Sequence, residues 1–233
     1  MTQLEHQTAL IVGVGQGLSA ALARLFSTQG FRIALASRDT AKLESLCKET
    51  GARAIRCDAQ EEAQVVHLFD EVDRLGSSPD VVIYNASARK RGPVVELLPS
   101  DVQRALQITA FGAFLVAQEA ARRMVPKGFG AILFTGASAS VKGYPQSAPF
   151  AMAKFALRGL VQSMARELAP QGIHVAHFVI DGAIGPPGQG ESTERADAML
   201  DPDAIAASYL HVLKQPRSAW TWEIELRPWT EKF

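Results

Sequence analysis

The chain lacks the groups on which several classes of function depend. Its 233 residues include two cysteines, Cys47 and Cys57, with neither metal-ligand spacing nor an accompanying histidine pattern. No metal site is expected, and the thiols read as buried and free in a reducing compartment. Charge of one sign is also missing: 24 basic and 24 acidic residues are spread along the chain, for a net charge of zero. No basic block points to nucleic acid and no juxtamembrane cluster to anionic lipid. No apolar run approaches the roughly 20 residues of a spanning helix. The opening segment MTQLEHQTALIVG has an early acidic residue and no basic stretch, so a secretory signal is not expected. These absences point to a cytoplasmic protein with a small soluble ligand, and to neither nucleic acid nor membrane as a partner.

What is present is a globular composition, 47% hydrophobic and 21% charged, of a length that suits a single domain over residues 1–233. Short apolar β-type runs alternate with longer helical stretches. Strands are expected over Thr8–Gly13, Phe31–Ala36, Ala52–Cys57, Val81–Tyr84, Ala131–Thr135, Ile173–Ile180 and Thr221–Leu226. Helices are expected over Leu18–Gln29 and Thr40–Thr50, from Asp58-Ala59-Gln60-Glu61 (capping-box spacing) through Leu75, from Ser100 to about Arg123, and over Phe150–Leu168 and Pro202–Leu213. Near-wholly apolar strands separated by helices argue for a parallel sheet covered on both faces. Right-handed crossovers then give a doubly wound α/β sheet of about seven strands, with ligands beyond the strands' carboxyl ends. Gly185–Glu194 is the one compositional break, and it reads as a lid over a site rather than a linker.

The first strand runs into Gly13-Val14-Gly15-Gln16-Gly17-Leu18-Ser19 and then a helix. Glycines let a backbone turn tightly and approach a pyrophosphate, which a helix N-terminus attracts through its free N–H groups and dipole. Further along stand Ser37-Arg38 after the second strand, Asp58-Ala59 after the third, Asn85-Ala86-Ser87 after the fourth, and Phe150-Ala-Met-Ala-Lys154 opening a long helix. In this order the segments resemble those of the short-chain dehydrogenase/reductase family, end to end, and more narrowly a divergent bacterial subgroup.

The resemblance implies a Rossmann-type dinucleotide fold and assigns roles. Gly13 and Gly17 match the family's loop glycines, Ser19 replaces the last, and Gly15 is extra; Gln16 and Leu18 complete the cradle. NAD-preferring members place a carboxylate where Ser37-Arg38 stands, so a guanidinium there implies NADP(H), with NAD(H) the weaker choice. Asp58, with Ala59, falls where an aspartate contacts adenine, and is also read as a helix cap. Asn85-Ala86-Ser87 resembles Asn-Ala-Gly beside the ribose. Gly182 and Ile184 fit the place that contacts the carboxamide, while Asp181 stands in place of proline, as a turn residue or pointing into the pocket. Trp220, Trp222 and Trp229 read as interface aromatics of a homodimer or homotetramer, with burial inside one subunit the other reading.

The catalytic set is where the chain departs. Phe150 occupies the place of the family's tyrosine, and a phenyl ring has no ionisable proton. Thr109 occupies the place of the asparagine. Counting back from Phe150 puts Ala137 at the serine position, with Ser138 serving only if the turn is shifted by one residue and Ser140 a weaker candidate. Lys154 is retained, facing the same way as Phe150 one turn earlier, and the resemblance has it bond the nicotinamide ribose. Two functions follow: an NADP(H)-dependent oxidoreductase with a relocated or dispensable acid, for which Tyr144 is the nearest phenol, or a dinucleotide-binding protein without turnover.

Overall fold

In a computed structural model, residues 7–186 and 198–230 are described. Seven parallel strands form one sheet in the order β3-β2-β1-β4-β5-β6-β7. The strands are β1 Thr8–Val12, β2 Arg32–Ser37, β3 Arg53–Arg56, β4 Val81–Tyr84, β5 Gly130–Thr135, β6 Ile173–Ile180 and β7 Glu223–Leu226. β1, β4, β5 and β6 are buried along their whole length, which is why they are apolar on both faces and do not alternate. The order reverses between β1 and β4, which opens a crevice at the carboxyl edge beside the Gly13 turn.

Helices cover both faces. On one side α1 (Leu18–Thr28), α2 (Glu44–Thr50) and α7 (Pro202–Leu213) pack on Ile11, Leu35, Leu133 and Phe178. On the other, α3 (Glu62–Arg74), α5 (Gly112–Met124) and α6 (Ala148–Leu168) cover Leu10, Val82, Ile132 and Val175, and α4 (Pro99–Leu106) packs on α6. Each fully buried Leu or Ile in these layers contributes roughly 1.5–3 kcal/mol. At the sheet's edge, β7 alternates as its sequence suggests, and inward-facing Glu223 is gripped by Arg158 Nε at 2.6 Å and Nη2 at 2.7 Å from α6.

Several helix boundaries differ from the sequence reading: α2 starts at Glu44, behind a 3-10 turn over Ala41–Leu43, rather than at Thr40, and α6 starts at Ala148 rather than Phe150. Asp58 does not cap α3, which starts at Glu62 with Glu61 as its N-cap. The Asp58 carboxylate instead accepts the Gln60 backbone N–H (3.2 Å) and side-chain amide (3.1 Å), closing a local turn one step before the helix. The helix expected from Ser100 to Arg123 starts at Pro99 and is not uniform. Between α4 and α5 it widens to π geometry over Gln107–Phe111. The Tyr84 hydroxyl donates to the Ile108 carbonyl within that wide turn. Gly112 follows because a Cβ there would lie 2.6 Å from the Tyr84 hydroxyl and 2.8 Å from the Ala59 carbonyl oxygen.

The predicted lid falls largely on residues 187–197, outside the described residues. Its base is described: Ile184 bridges Leu200, the Gly185 N–H donates to the Leu200 carbonyl and the Leu200 N–H to the Ala183 carbonyl, each at 2.8 Å. Among the described residues no helix is long and apolar enough to cross a membrane.

Candidate active site

Three adjoining cavities run along the carboxyl edge of the sheet and share residues of the Gly13, Asn85 and Ile184 turns. The first is lined by Gly13, Gly15, Ser37, Arg38, Asp58, Ala59, Asn85, Ala86 and Ser87. The second lies over Gly15, Gln16, Gly17 and Leu18 and reaches Ile184. The third, about 730 Å³, is walled by Ser138, Phe150, Lys154, Asp181, Gly182 and Ile184, with Asn85 and Ser87 in common with the first. The cofactor-binding candidates, Lys154 among them, line this trough, as do Ser138 and Phe150, whereas Thr109 and Ser140 do not.

The glycine turn is built by close approach. Gly13 has φ +85°, and a Cβ on it would sit 2.4 Å from the Ala86 nitrogen, so β1 and β4 turn out of the sheet in contact. At Gly15 and Gly17 no atom lies within 4 Å of where a Cβ would stand, which leaves their backbone bare toward the cavity. α1 then begins with no side-chain cap, so its first N–H groups stay available to an anion. Ser19, at the last glycine's place, lines the second cavity, and its hydroxyl donates to the Gly13 carbonyl (3.1 Å) and accepts from Asn85 Nδ2 (2.6 Å). Serine thereby ties the two turns together.

At the adenosine end the exposed Arg38 lines the cavity and enters no ion pair among the described residues, the neighbouring Asp39 being paired with Lys42. Such a free guanidinium fits a ribose phosphate, which it can grip with two parallel hydrogen bonds. Asp58 lines the cavity, and both Gln60 contacts use the same one of its carboxylate oxygens.

At the other end Lys154 is 3% exposed and donates to the Thr135 carbonyl oxygen at 2.7 Å. Burial without a carboxylate partner pushes its pKa down to about 7. Its ammonium lies 5.8 Å from the Phe150 ring centroid. Behind it, fully buried His177 contacts Glu223 through Nδ1 at 3.0 Å, and burial lowers its pKa to about 4. Gly136 is required there, since a Cβ would meet His177 Nε2 at 2.3 Å.

The remaining catalytic candidates separate cleanly. Ser138 lines the cavity. Ser140 is fully buried and its hydroxyl accepts the Ala137 N–H at 3.1 Å, so it closes a turn. Thr109 is fully buried too and its hydroxyl accepts the Ala88 N–H at 3.2 Å; it holds a loop and does not reach the cavity. Tyr144 lies on the cavity wall with its ring 5.8 Å from the Lys142 ammonium. Asp181 is 3% exposed, and Lys142 (3.2 Å) and Arg227 (3.4 Å) neutralise it. It is a braced turn carboxylate.

Trp220 stacks on His174 at 4.6 Å and Trp222 lies under Arg158, both within this chain, whereas Trp229 is 80% exposed. Sequence reasoning missed Arg89 and Arg91, which line the third cavity. The loop at 88–98 reads as generic, and the only signal in it was the basic triplet Arg89-Lys90-Arg91.

Comparison with known proteins gives a consistent picture. The short chain dehydrogenase family pattern matches residues 7–195. A (21S)-21-acetoxyl-apo-melianone synthase from Melia azedarach is 30% identical over 210 residues, covering 88% of this chain and 74% of that protein. A cyclic-di-GMP-binding biofilm dispersal mediator protein of Escherichia coli is 34% identical over 176 residues, 72% of this chain and 70% of its own. Among solved structures, a short-chain dehydrogenase from Rhodopseudomonas palustris superposes with a TM-score of 0.84 at 34% identity, over 96% of this chain and 99% of that one.

Proposed function

This chain is a member of the short-chain dehydrogenase family, and on that premise we propose that it is an NADP(H)-dependent oxidoreductase whose route does without a tyrosine acid. The observation that carries the reading is the trough itself, with an uncontested Arg38 at one end and a buried Lys154 at the other. When bound, NADP(H) supplies or accepts a hydride. The residues of the chain do the rest. The loop at Gly15–Leu18 and the start of α1 hold the pyrophosphate, Arg38 the ribose phosphate, Asp58 the adenine, and Asn85-Ala86-Ser87 the adenosine ribose. Lys154 holds the nicotinamide ribose hydroxyls, and Gly182 and Ile184 the carboxamide.

On the substrate side, Phe150 offers an apolar face and no proton. Ser138, which lines the cavity, would donate a hydrogen bond to a substrate oxygen. Reduction of an activated carbon–carbon double bond suits this wall. Hydride from the cofactor would go to one carbon, and water entering the open mouth would give a proton to the other, so no side chain would have to ionise. General acid–base help is worth about 10²–10⁴-fold, so its loss leaves slow turnover rather than none. Nicotinamide absorbance should fall when NADPH is mixed with enones or imines. A broad panel with no consumption above background would overturn the reading.

A second reading keeps the dinucleotide site as a sensor or structural ligand. It is favoured by the joint loss of the phenol at Phe150 and of a cavity-facing group at Thr109, and by the relative above whose name describes binding rather than turnover. It predicts micromolar NADPH binding with no hydride transfer. We also infer assembly into a homodimer or homotetramer: Phe111 and Phe114 near α5, and Met152 and Phe155 on α6, are each 39–49% exposed. The cytoplasm remains the inferred compartment.

A further inference from the structure

Two arginines not used by the nucleotide site are held over the substrate side of the trough. The loop after β4 is pinned at both ends of Arg89-Lys90-Arg91. The Ala88 N–H donates to the Thr109 hydroxyl at 3.2 Å, and the Gly92 N–H donates to the Gln146 carbonyl at 3.1 Å. Gln146 accepts from a left-handed backbone, φ 59°, the one non-glycine residue to adopt positive φ among those described. That conformation is strained for a residue with a side chain and persists where the surroundings over-determine it. Between the pins, Lys90 turns out to Asp101 at 3.5 Å, while Arg89 and Arg91 turn in to line the 730 Å³ cavity.

The electrostatics of that cavity are one-sided. Arg89 and Arg91 enter no ion pair among the described residues. Among the described residues the only carboxylate on the wall is Asp181, already matched by Lys142 and Arg227. The Arg89 guanidinium lies 5.3 Å above the centroid of the Phe150 ring, which holds it through the ring's negative face. Phe150 therefore has a task that a phenyl ring performs: it seats a cation at the place where chemistry would occur.

We propose that the substrate is a small organic anion, with a carboxylate or phosphate gripped by Arg89 and Arg91 and its apolar part against Phe150. Guanidinium groups match both oxyanions through paired hydrogen bonds, and the volume admits a ligand of this size. The proposal rests on the oxidoreductase reading only in taking this cavity as the substrate side.

Calorimetric titration of NADP⁺-loaded protein with benzoate, phenyl phosphate and benzamide tests it without requiring turnover. At least one anion should bind tenfold or more tighter than benzamide, with the preference shrinking as salt is added. Preference for benzoate or for phenyl phosphate identifies the oxyanion. The double variant Arg89→Ala/Arg91→Ala should bring the anion to the affinity of benzamide, while Arg89→Lys keeps part of the preference. Both arginines are exposed, so an unchanged Tm should show that the variants fold. Equal binding of the three probes, no binding of any, or a preference that survives the double variant would overturn the proposal. Absence of NADPH consumption with unsaturated acids, while the anion preference stands, overturns hydride transfer and leaves the anion site in place.

Discussion

Replacing Gly13 and Gly15 by alanine separates a glycine that the fold requires from one that the cofactor requires. At Gly13 the added Cβ lies 2.4, 2.5 and 2.7 Å from the nitrogen, Cα and Cβ of Ala86, and φ is +85°. Left-handed backbone costs an L-residue roughly 1–2 kcal/mol. Backbone atoms cannot swing aside as a side-chain tip can, so the overlap adds about 1–3 kcal/mol. The sum is about 2–5 kcal/mol, and at roughly 2–4 °C per kcal/mol for a chain of this size, Tm should fall by about 4–20 °C. At Gly15 no atom lies within 4 Å of the new methyl and φ is outside the left-handed region. Tm should then stay within about 2 °C of wild type. The methyl would enter the space reserved for pyrophosphate, weakening NADPH about tenfold, or ~1.4 kcal/mol. Circular-dichroism melts without cofactor and fluorescence titration with NADPH measure the two effects. A Gly13→Ala protein that melts with wild type would refute the close-approach argument. Wild-type NADPH affinity in Gly15→Ala would refute the cradle.

Arg38→Ala should weaken NADPH by about 10- to 100-fold, the loss of charge-assisted hydrogen bonds to one phosphate, and leave NADH unchanged; equal losses for both nucleotides would show that Arg38 does not read the phosphate. Phe150→Tyr restores a phenol one turn from Lys154, and carbonyl reduction should rise by about 10²–10⁴-fold over wild type in a nicotinamide absorbance assay. No gain would mean that the missing proton donor is not what limits the site. Acid should destabilise the protein through His177, whose pKa is about 4 in the fold and near 6.5 when unfolded. As pH falls from 6.5 to 4 the unfolded chain takes up a proton that the folded chain refuses, so stability falls by up to about 3 kcal/mol. Glu223, held below its usual range by Arg158 and His177 against the opposing effect of burial, adds to the loss in the same direction. Urea midpoints at pH 7 and pH 4.5 should therefore differ less in His177→Gln than in wild type, and identical differences would refute this.

The fold was legible because a parallel sheet buried on both faces leaves continuous apolar runs, and β1, β4, β5 and β6 are such runs. Boundaries were less so. Asp58-Ala59-Gln60-Glu61 has the spacing of a cap, yet the same carboxylate satisfies a nearer turn, and local spacing does not rank the two. The wide turn over Gln107–Phe111 depends on Tyr84, which is more than twenty residues away in sequence.

The residues proposed for the cofactor were legible in sequence where they directly follow a strand, since a strand's end fixes where its next residues point. Gly13, Arg38, Asp58 and Asn85 all lie on the trough for that reason, whereas Lys154 lies within α6. The substrate half follows a different rule. Whether Arg89 and Arg91 face the cavity or the solvent is set by two hydrogen bonds, from the Ala88 and Gly92 N–H groups to the Thr109 hydroxyl and the Gln146 carbonyl, that join segments remote in sequence. Whether Ser138 or Ser140 keeps a free hydroxyl is set by which one closes the turn after β5. The amino-acid pattern alone thus determined the sheet, its crossovers and a dinucleotide edge, because those depend on local periodicity and on strand ends. Only the tertiary structure decided that Thr109 braces a loop and that Phe150 carries a cation, because both depend on long-range contacts that no local spacing encodes.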